Sequence, residues 1–295
     1  MRHCAVRDES SRYHAAHVDQ INNVAGMTPD DSLFDAALTC LRASDPMRKV
    51  AMTIATAQRH AQGELSTGHG STIEAIREPG RPPQPNLVDA RQLPRRGLGT
   101  VAGRAALVHA VVHIEFNAIN LAWDAIYRFR DMPDAYYSDW ITVAADEARH
   151  FDMVCQRLQQ LGFRYGDFDA HHGLWDMAVR TADSCLARMA LVPRVLEARG
   201  LDVTPPMIER LRQVGDLETV AVLEVILAEE VAHVAAGTRW FHWCCERESV
   251  EPNATFERLV DQYLRGSIKG PFNMPARLAA GFSQAELDQL MASVA

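Results

Sequence analysis

From residue 32 onward the apolar positions of this chain recur three and four apart, the spacing that gathers them on one face of a helix. Leu33, Phe34, Ala37, Leu38 and Leu41 open the pattern behind Thr28, Pro29 and Asp30, which together make a helix start. A second helix is predicted over 45–64. The period is then lost over 63–99, where Pro79, Gly80, Pro82, Pro83, Pro85 and Pro94 predict an extended connector. Four longer periodic stretches follow, 103–129, 134–161, 174–200 and 216–247, each long enough to exceed about 35 Å as a helix. Turn-rich residues 162–173 separate the second from the third. Gly200 is the expected stop of the third, and 202–215, with Pro205 and Pro206, should hold only a short helical piece. A helix over 255–264, a Gly/Pro loop over 266–275 and a last helix from Ser283 complete the chain. Alternating runs of β-branched residues are absent, so the expected fold class is all-α: a four-helix bundle with additional N-terminal and C-terminal helices.

These shifts of pattern divide the chain into a polar leader (1–27), an N-terminal helical module (28–66), a Pro/Gly-rich connector (67–99), the bundle (100–250) and a helical tail (251–295). With 295 residues and 47% hydrophobic content the chain can bury a substantial core. A formal charge of −8 argues against generic nucleic-acid binding, which needs a basic face. The opening residues offer no apolar signal segment, and no run of about 18 uninterrupted apolar residues suggests a membrane span, so a cytoplasmic location is expected. Cys4, Cys40, Cys155, Cys185, Cys244 and Cys245 form no Cys-x-x-Cys pair and sit mostly within helical patterns, as reduced thiols do.

The chemistry lies in two Glu-x-x-His motifs, Glu147 to His150 on the second long helix and Glu230 to His233 on the fourth. A spacing of three puts both side chains of a motif on one helical face. With twelve histidines in the chain, two such motifs are only mildly unusual. More telling is a lone glutamate upstream of each: Glu115 lies 32 residues before Glu147, and Glu197 lies 33 before Glu230. Each half thus supplies one helix with a single Glu and one with Glu-x-x-His, the arrangement by which ferritin-like bundles hold two metal ions. Four carboxylates balance two divalent cations, two imidazoles add nitrogen ligands, and without cations such a group would have to take up protons. An acid precedes each motif glutamate, and ligand imidazoles usually donate their second N–H to a carboxylate. Asp146 is therefore expected to serve His233, and Glu229 to serve His150, each across the bundle. Glu197 is the weakest ligand, being near an expected helix end and after Pro193, with Glu209 as the substitute. His109 and His113 do not share the face of Glu115 and are read as structural. Trp140 and Trp240 are read as packing aromatics, and the loop with Lys269, Phe272 and Asn273 as a plain turn. Ala118 and Ala122 leave small side chains on the stripe of Glu115.

The chain from about Leu33 to Leu287 resembles the ferritin-like family called domain of unknown function 455. The resemblance lies in His113-Ile114-Glu115, Ala144 through Phe151, Arg188 through Arg194 leading to Glu197 through Asp202, and Gly270 through Asn273. It implies a ferritin-like fold and a dinuclear metal site at Glu115, Glu147, His150, Glu197, Glu230 and His233. The expected cofactor is two metal ions, iron first and manganese as the alternative. The expected function is an oxidase or oxygenase that activates oxygen against an unknown small-molecule or nucleoside-like substrate, the latter by fold analogy alone. Metal handling, such as ferroxidation, and a structural bundle with a non-redox metal are the alternatives.

Overall fold

A computed structural model describes residues 31–94, 96–264 and 268–292, and among these no strand forms beyond two isolated bridges. The polar leader, with the helix start expected at Thr28 to Asp30, lies outside the described residues. Helix α1 (Leu33–Arg42) is instead capped by Ser32, whose hydroxyl accepts from the Asp35 N–H, and α2 (Pro46–Ala61) by Asp45, with Pro46 in the first turn. The connector carries a 3-10 turn at Ala90–Gln92 and is held to the helices by its own backbone. The Gly80 N–H donates to Leu41 O, the Glu74 N–H to the Tyr127 hydroxyl, and the Trp175 indole N–H to Arg77 O.

Helix α3 (Val101–Arg128) begins at the Thr100 cap, and α4 (Asp134–Gln160) returns antiparallel along its whole length. Among the described residues α3 alone is long and apolar enough to cross a membrane, but most of its apolar window is covered by protein, chiefly by α1 and α4. Helix α2 packs on α4, so the N-terminal pair lies directly against the long helices.

The single third helix expected over 174–200 is not what forms. The tract is broken into α5 (Gly173–Arg180), α6 (Cys185–Leu191), a π-helical turn (Val192–Glu197) and α7 (Ala198–Gln213). Ser184 caps α6 and interrupts the run. Pro193 has no N–H to continue the ladder, and the extra residue of the π turn accommodates it. Nor does Gly200 stop the helix: α7 runs through Pro205 and Pro206. The carbonyl of Leu201, which Pro205 cannot serve, accepts instead from the Asn273 side-chain amide. Helix α8 (Leu217–Glu248) then packs on α6, the π turn and α7 and crosses α4, while α9 (Pro252–Leu264), α10 (Met274–Ala279) and α11 (Gln284–Ala292) close the far side.

Buried charges tie these helices at their ends. Asp216 caps α8 through the Thr219 N–H and also meets Arg157 of α4 at 2.7 Å and Arg104 of α3 at 3.2 Å. At the other end Asp124 of α3 pairs with Arg128 and with Arg188 of α6, each at 2.6 Å. Arg194 of the π turn pairs with Glu286 of α11 inside a cage of Phe241, Phe256 and Phe282, each ring centroid 4.5 Å from the guanidinium. Arg277 pairs with Asp202 at 2.7 Å. Removing one partner of such a pair strands a buried charge, a loss of about 3–5 kcal/mol.

The π turn is seated by a close approach. Gly237 of α8 faces Pro193 so tightly that a Cβ there would lie 2.2 Å from the proline Cβ. Gly237→Ala is therefore expected to lower stability by about 1–3 kcal/mol through overpacking. Urea unfolding measures this, and a change below about 0.5 kcal/mol would show that the contact does not constrain the turn.

Candidate metal centre

The six residues come from four backbone segments. Glu115 comes from the middle of α3, Glu147 and His150 from α4, Glu197 from the end of the π turn, and Glu230 and His233 from α8. One ligand atom from each of Glu115, Glu147, His150 and Glu230 falls within 4.8 Å of the others. Glu147 lies between the two imidazoles: Oε2 is 3.3 Å from His150 Nδ1, and Oε1 is 3.0 Å from His233 Nδ1. His150 Nδ1 also lies 3.6 Å from Glu115 Oε2, and His233 Nδ1 lies 3.7 Å from Glu230 Oε2. Glu197 is buried in the field of Glu230 and Glu147, whereas Glu209 pairs with Arg212 and Gln213 on the outside of α7.

The outer nitrogen of each imidazole meets an acid from the opposite helix. His150 Nε2 is 2.6 Å from Glu229 Oε2, and His233 Nε2 is 3.3 Å from Asp146 Oδ2. Arg149 joins these two acids, donating to Asp146 at 2.9 Å and to Glu229 at 2.6 Å. Sequence reasoning missed Arg149. Its only signal was its position inside the first motif, three residues after Asp146.

His109 and His113 serve the loop after α4 and lie outside the cluster. His113 meets the Tyr165 hydroxyl at 2.8 Å and the His171 carbonyl at 3.0 Å, and His109 Nε2 accepts from the Gly166 N–H. Trp240 donates to Asp139 and packs edge-on against Tyr136. The loop with Lys269 and Asn273 holds α7: Arg199 donates to Lys269 O, and the Asn273 N–H donates to Asp202.

The electrostatics of the cluster are those of an acidic group short of cations. Burial, and then the charge of Glu147, push the carboxyls of Glu115 and Glu230 up. Burial, Glu230 and Glu147 push Glu197 up to about 8. For Glu147 burial acts in the same direction, but contacts from both imidazoles more than reverse it and hold its carboxyl well below the usual range. Burial disfavours the imidazolium of His150, yet Glu115 and Glu147 raise it to about 10. His233 is raised likewise by Asp146, Glu147 and Glu230. Protons on these groups thus offset the buried carboxylate charge. Even so, the buried oxygens Glu115 Oε2, Glu197 Oε2 and Glu230 Oε2 have no hydrogen-bond donor. Orphan carboxylate oxygens beside imidazoles fit a site that could hold a metal ion.

In the metal-free protein Glu197 binds its proton more tightly folded than unfolded. Its contribution is fully present below the ordinary carboxylate pKa of 4.5 and is lost as pH rises through about 8. Glu197→Gln, which imitates the protonated acid, is expected to melt higher than the native metal-free protein at pH 8, with most of the difference lost by pH 5. Differential scanning calorimetry at the two pH values measures it, and a pH-independent difference would contradict the assignment.

The family described as "Protein of unknown function (DUF455)" matches residues 42–288. An uncharacterized protein of Haemophilus influenzae is 45% identical over 214 residues, covering 70% of this chain and 74% of that relative. No solved structure matches the chain. The matched span contains every residue of the cluster and most of the chain, which therefore belongs to the DUF455 family of proteins of unknown function.

Proposed function

We propose that this chain is a ferritin-like dinuclear metal protein, loaded with iron, that activates oxygen as an oxidase or oxygenase. The carrying observation is the set of donorless buried oxygens on Glu115, Glu197 and Glu230 around two imidazoles whose outer nitrogens are already engaged. Leaving such oxygens unpaired costs about 1–3 kcal/mol each, a cost that cation binding removes. In this reading α3, α4, α8 and the α6, π and α7 tract form the bundle. Glu115, Glu147, His150, Glu197, Glu230 and His233 would hold the metal ions, with Glu147 lying between the two imidazoles. Asp146 and Glu229 fix the imidazole rings and raise their basicity, with Arg149 keeping both acids ionised and in place. Bound iron supplies the electrons for stepwise reduction of oxygen and so the oxidising power spent on an organic substrate.

Protein expressed with added iron is expected to carry two metal ions per chain by elemental analysis and to consume oxygen when reduced. Glu147→Ala and His233→Ala should each lose most of the metal. Retention of two ions in both variants would remove the ligand assignment, and a full complement without oxygen uptake would reduce the centre to a structural one. Asp146→Asn, which leaves the six ligands intact, should weaken metal affinity by about 10–100-fold in a competition titration with a chelator. An unchanged affinity would make the His233 contact incidental.

A further inference from the structure

The cysteines of this chain divide by environment. Burial pushes the thiols of Cys40 and Cys245 up to about 11 and raises that of Cys155 as well, so these three behave as small core side chains. Cys185 differs. It opens α6, is only partly buried, and among the described cysteines it alone is held below the ordinary thiol value.

Its neighbours supply the reason. The thiols of Cys185 and Cys244 share a hydrogen bond across the junction of α6 and α8, and this contact does most to hold Cys185 down. Burial opposes it, while the Tyr136 hydroxyl, 3.9 Å from Cys185 Sγ, and then the charges of Arg188 and Arg247 add to it. Cys244 takes the opposite part, since the same hydrogen bond and its burial raise its thiol. One sulfur is thus prepared to be the anion and the other to be the proton donor beside it.

The groups around the pair are fixed by contacts of their own. Arg188 meets Asp124 at 2.6 Å, and Arg247 donates to Asp131 O at 3.0 Å and lies over the Trp243 ring. The Tyr136 ring stands edge-on to Trp240 and Tyr137, with centroids 5.2 Å and 5.5 Å away, which keeps its hydroxyl at the sulfur. A thiol pair that only filled space would be neutral and enclosed, as Cys40 is. This pair has one partly exposed member, a sulfur in contact with it and two cations nearby, the surroundings of a reactive thiol.

We propose that Cys185 and Cys244 form a redox-active dithiol, which peroxides close to a disulfide across the α6–α8 junction. Cys185, the partly exposed member, attacks first: its sulfur bonds to one peroxide oxygen, the O–O bond breaks, and the other oxygen leaves as water, making a sulfenic acid. The Cys244 sulfur then bonds to the Cys185 sulfur, and the sulfenic oxygen departs as a second water with the Cys244 proton. The two thiols lose two hydrogens and two electrons, and hydrogen peroxide is reduced to water. A thiol reductant reopens the bond by exchange. The link joins α6, whose tract runs on to Glu197, to α8, which bears Glu230 and His233, so oxidation ties together two of the segments that supply the cluster. Neither cysteine belongs to the cluster, and the dithiol stands whether or not the cluster binds metal.

The test is mass spectrometry of the metal-free full chain after treatment with hydrogen peroxide, alkylation in denaturant and digestion with trypsin without reductant. The oxidised chain is expected to be lighter by about 2 Da, the two hydrogens lost, and to yield peptide 181–188 joined to peptide 240–247. Dithiothreitol should release the two peptides. Because 240–247 also contains Cys245, Cys245→Ser should retain the link and Cys244→Ser should abolish it, leaving Cys185 as a sulfenic acid that a 1,3-diketone probe labels. Cys185→Ser should leave Cys244 unmodified. Circular dichroism melting establishes that each variant is folded. The oxidised native chain should also unfold at higher urea than the reduced chain, a shift absent from Cys185→Ser and Cys244→Ser. Both thiols remaining free in a peroxide excess that fully oxidises glutathione overturns the proposal. So does a bond from either cysteine to any other, Cys245 included, or a link that persists in Cys244→Ser.

Discussion

Four carboxylates in the interior of one helical protein are the constraint around which the other features arrange themselves. Glu115, Glu147, Glu197 and Glu230 come from different parts of the chain, yet the charge of Glu147 raises the carboxyls of the other three, and Glu230 adds to the rise at Glu115 and Glu197. Such a group survives burial only if positive charge enters with it. His150 and His233 provide some, on either side of Glu147, but three oxygens are left without donors. That residual deficit is the feature that divalent cations would remove.

The surrounding structure bears the strain of keeping these groups together. Asp216 gathers the ends of α3, α4 and α8, and Asp124 with Arg188 joins α3 to α6 at the other end, so the segments carrying the cluster are pinned above and below it. Between these pins the π turn delivers Glu197. Its Pro193 interrupts regular helix, Gly237 gives the proline room, and the Arg194 cage ties the same turn to the C-terminal tail. The tail is thus part of the support of the cluster.

Much of this was legible in the chain. The long helices followed from apolar spacing: 103–129 and 134–161 correspond closely to Val101–Arg128 and Asp134–Gln160, because both bury a continuous stripe. The proximity of Glu115, Glu147, His150 and Glu230 and the crosswise contacts of Asp146 and Glu229 were readable because helical periodicity and the repeated spacing specify faces as well as elements. Where the outcome hung on contacts distant in sequence, the pattern failed. Nothing near Pro205 announces that Asn273 will serve Leu201 O and let α7 continue, and Gly200 reads as a stop only in isolation. The π turn was invisible for the same reason, since Pro193 specifies a break but only Gly237 decides its shape.

Anomalous diffraction from iron-loaded crystals, with data on both sides of the iron absorption edge, tests the central claim most directly. Two peaks about 3–4 Å apart are expected among Glu115, Glu147, His150, Glu197, Glu230 and His233. Peaks elsewhere, or a cluster that still holds its carboxylates together with protons and no metal at saturating iron, would contradict the account.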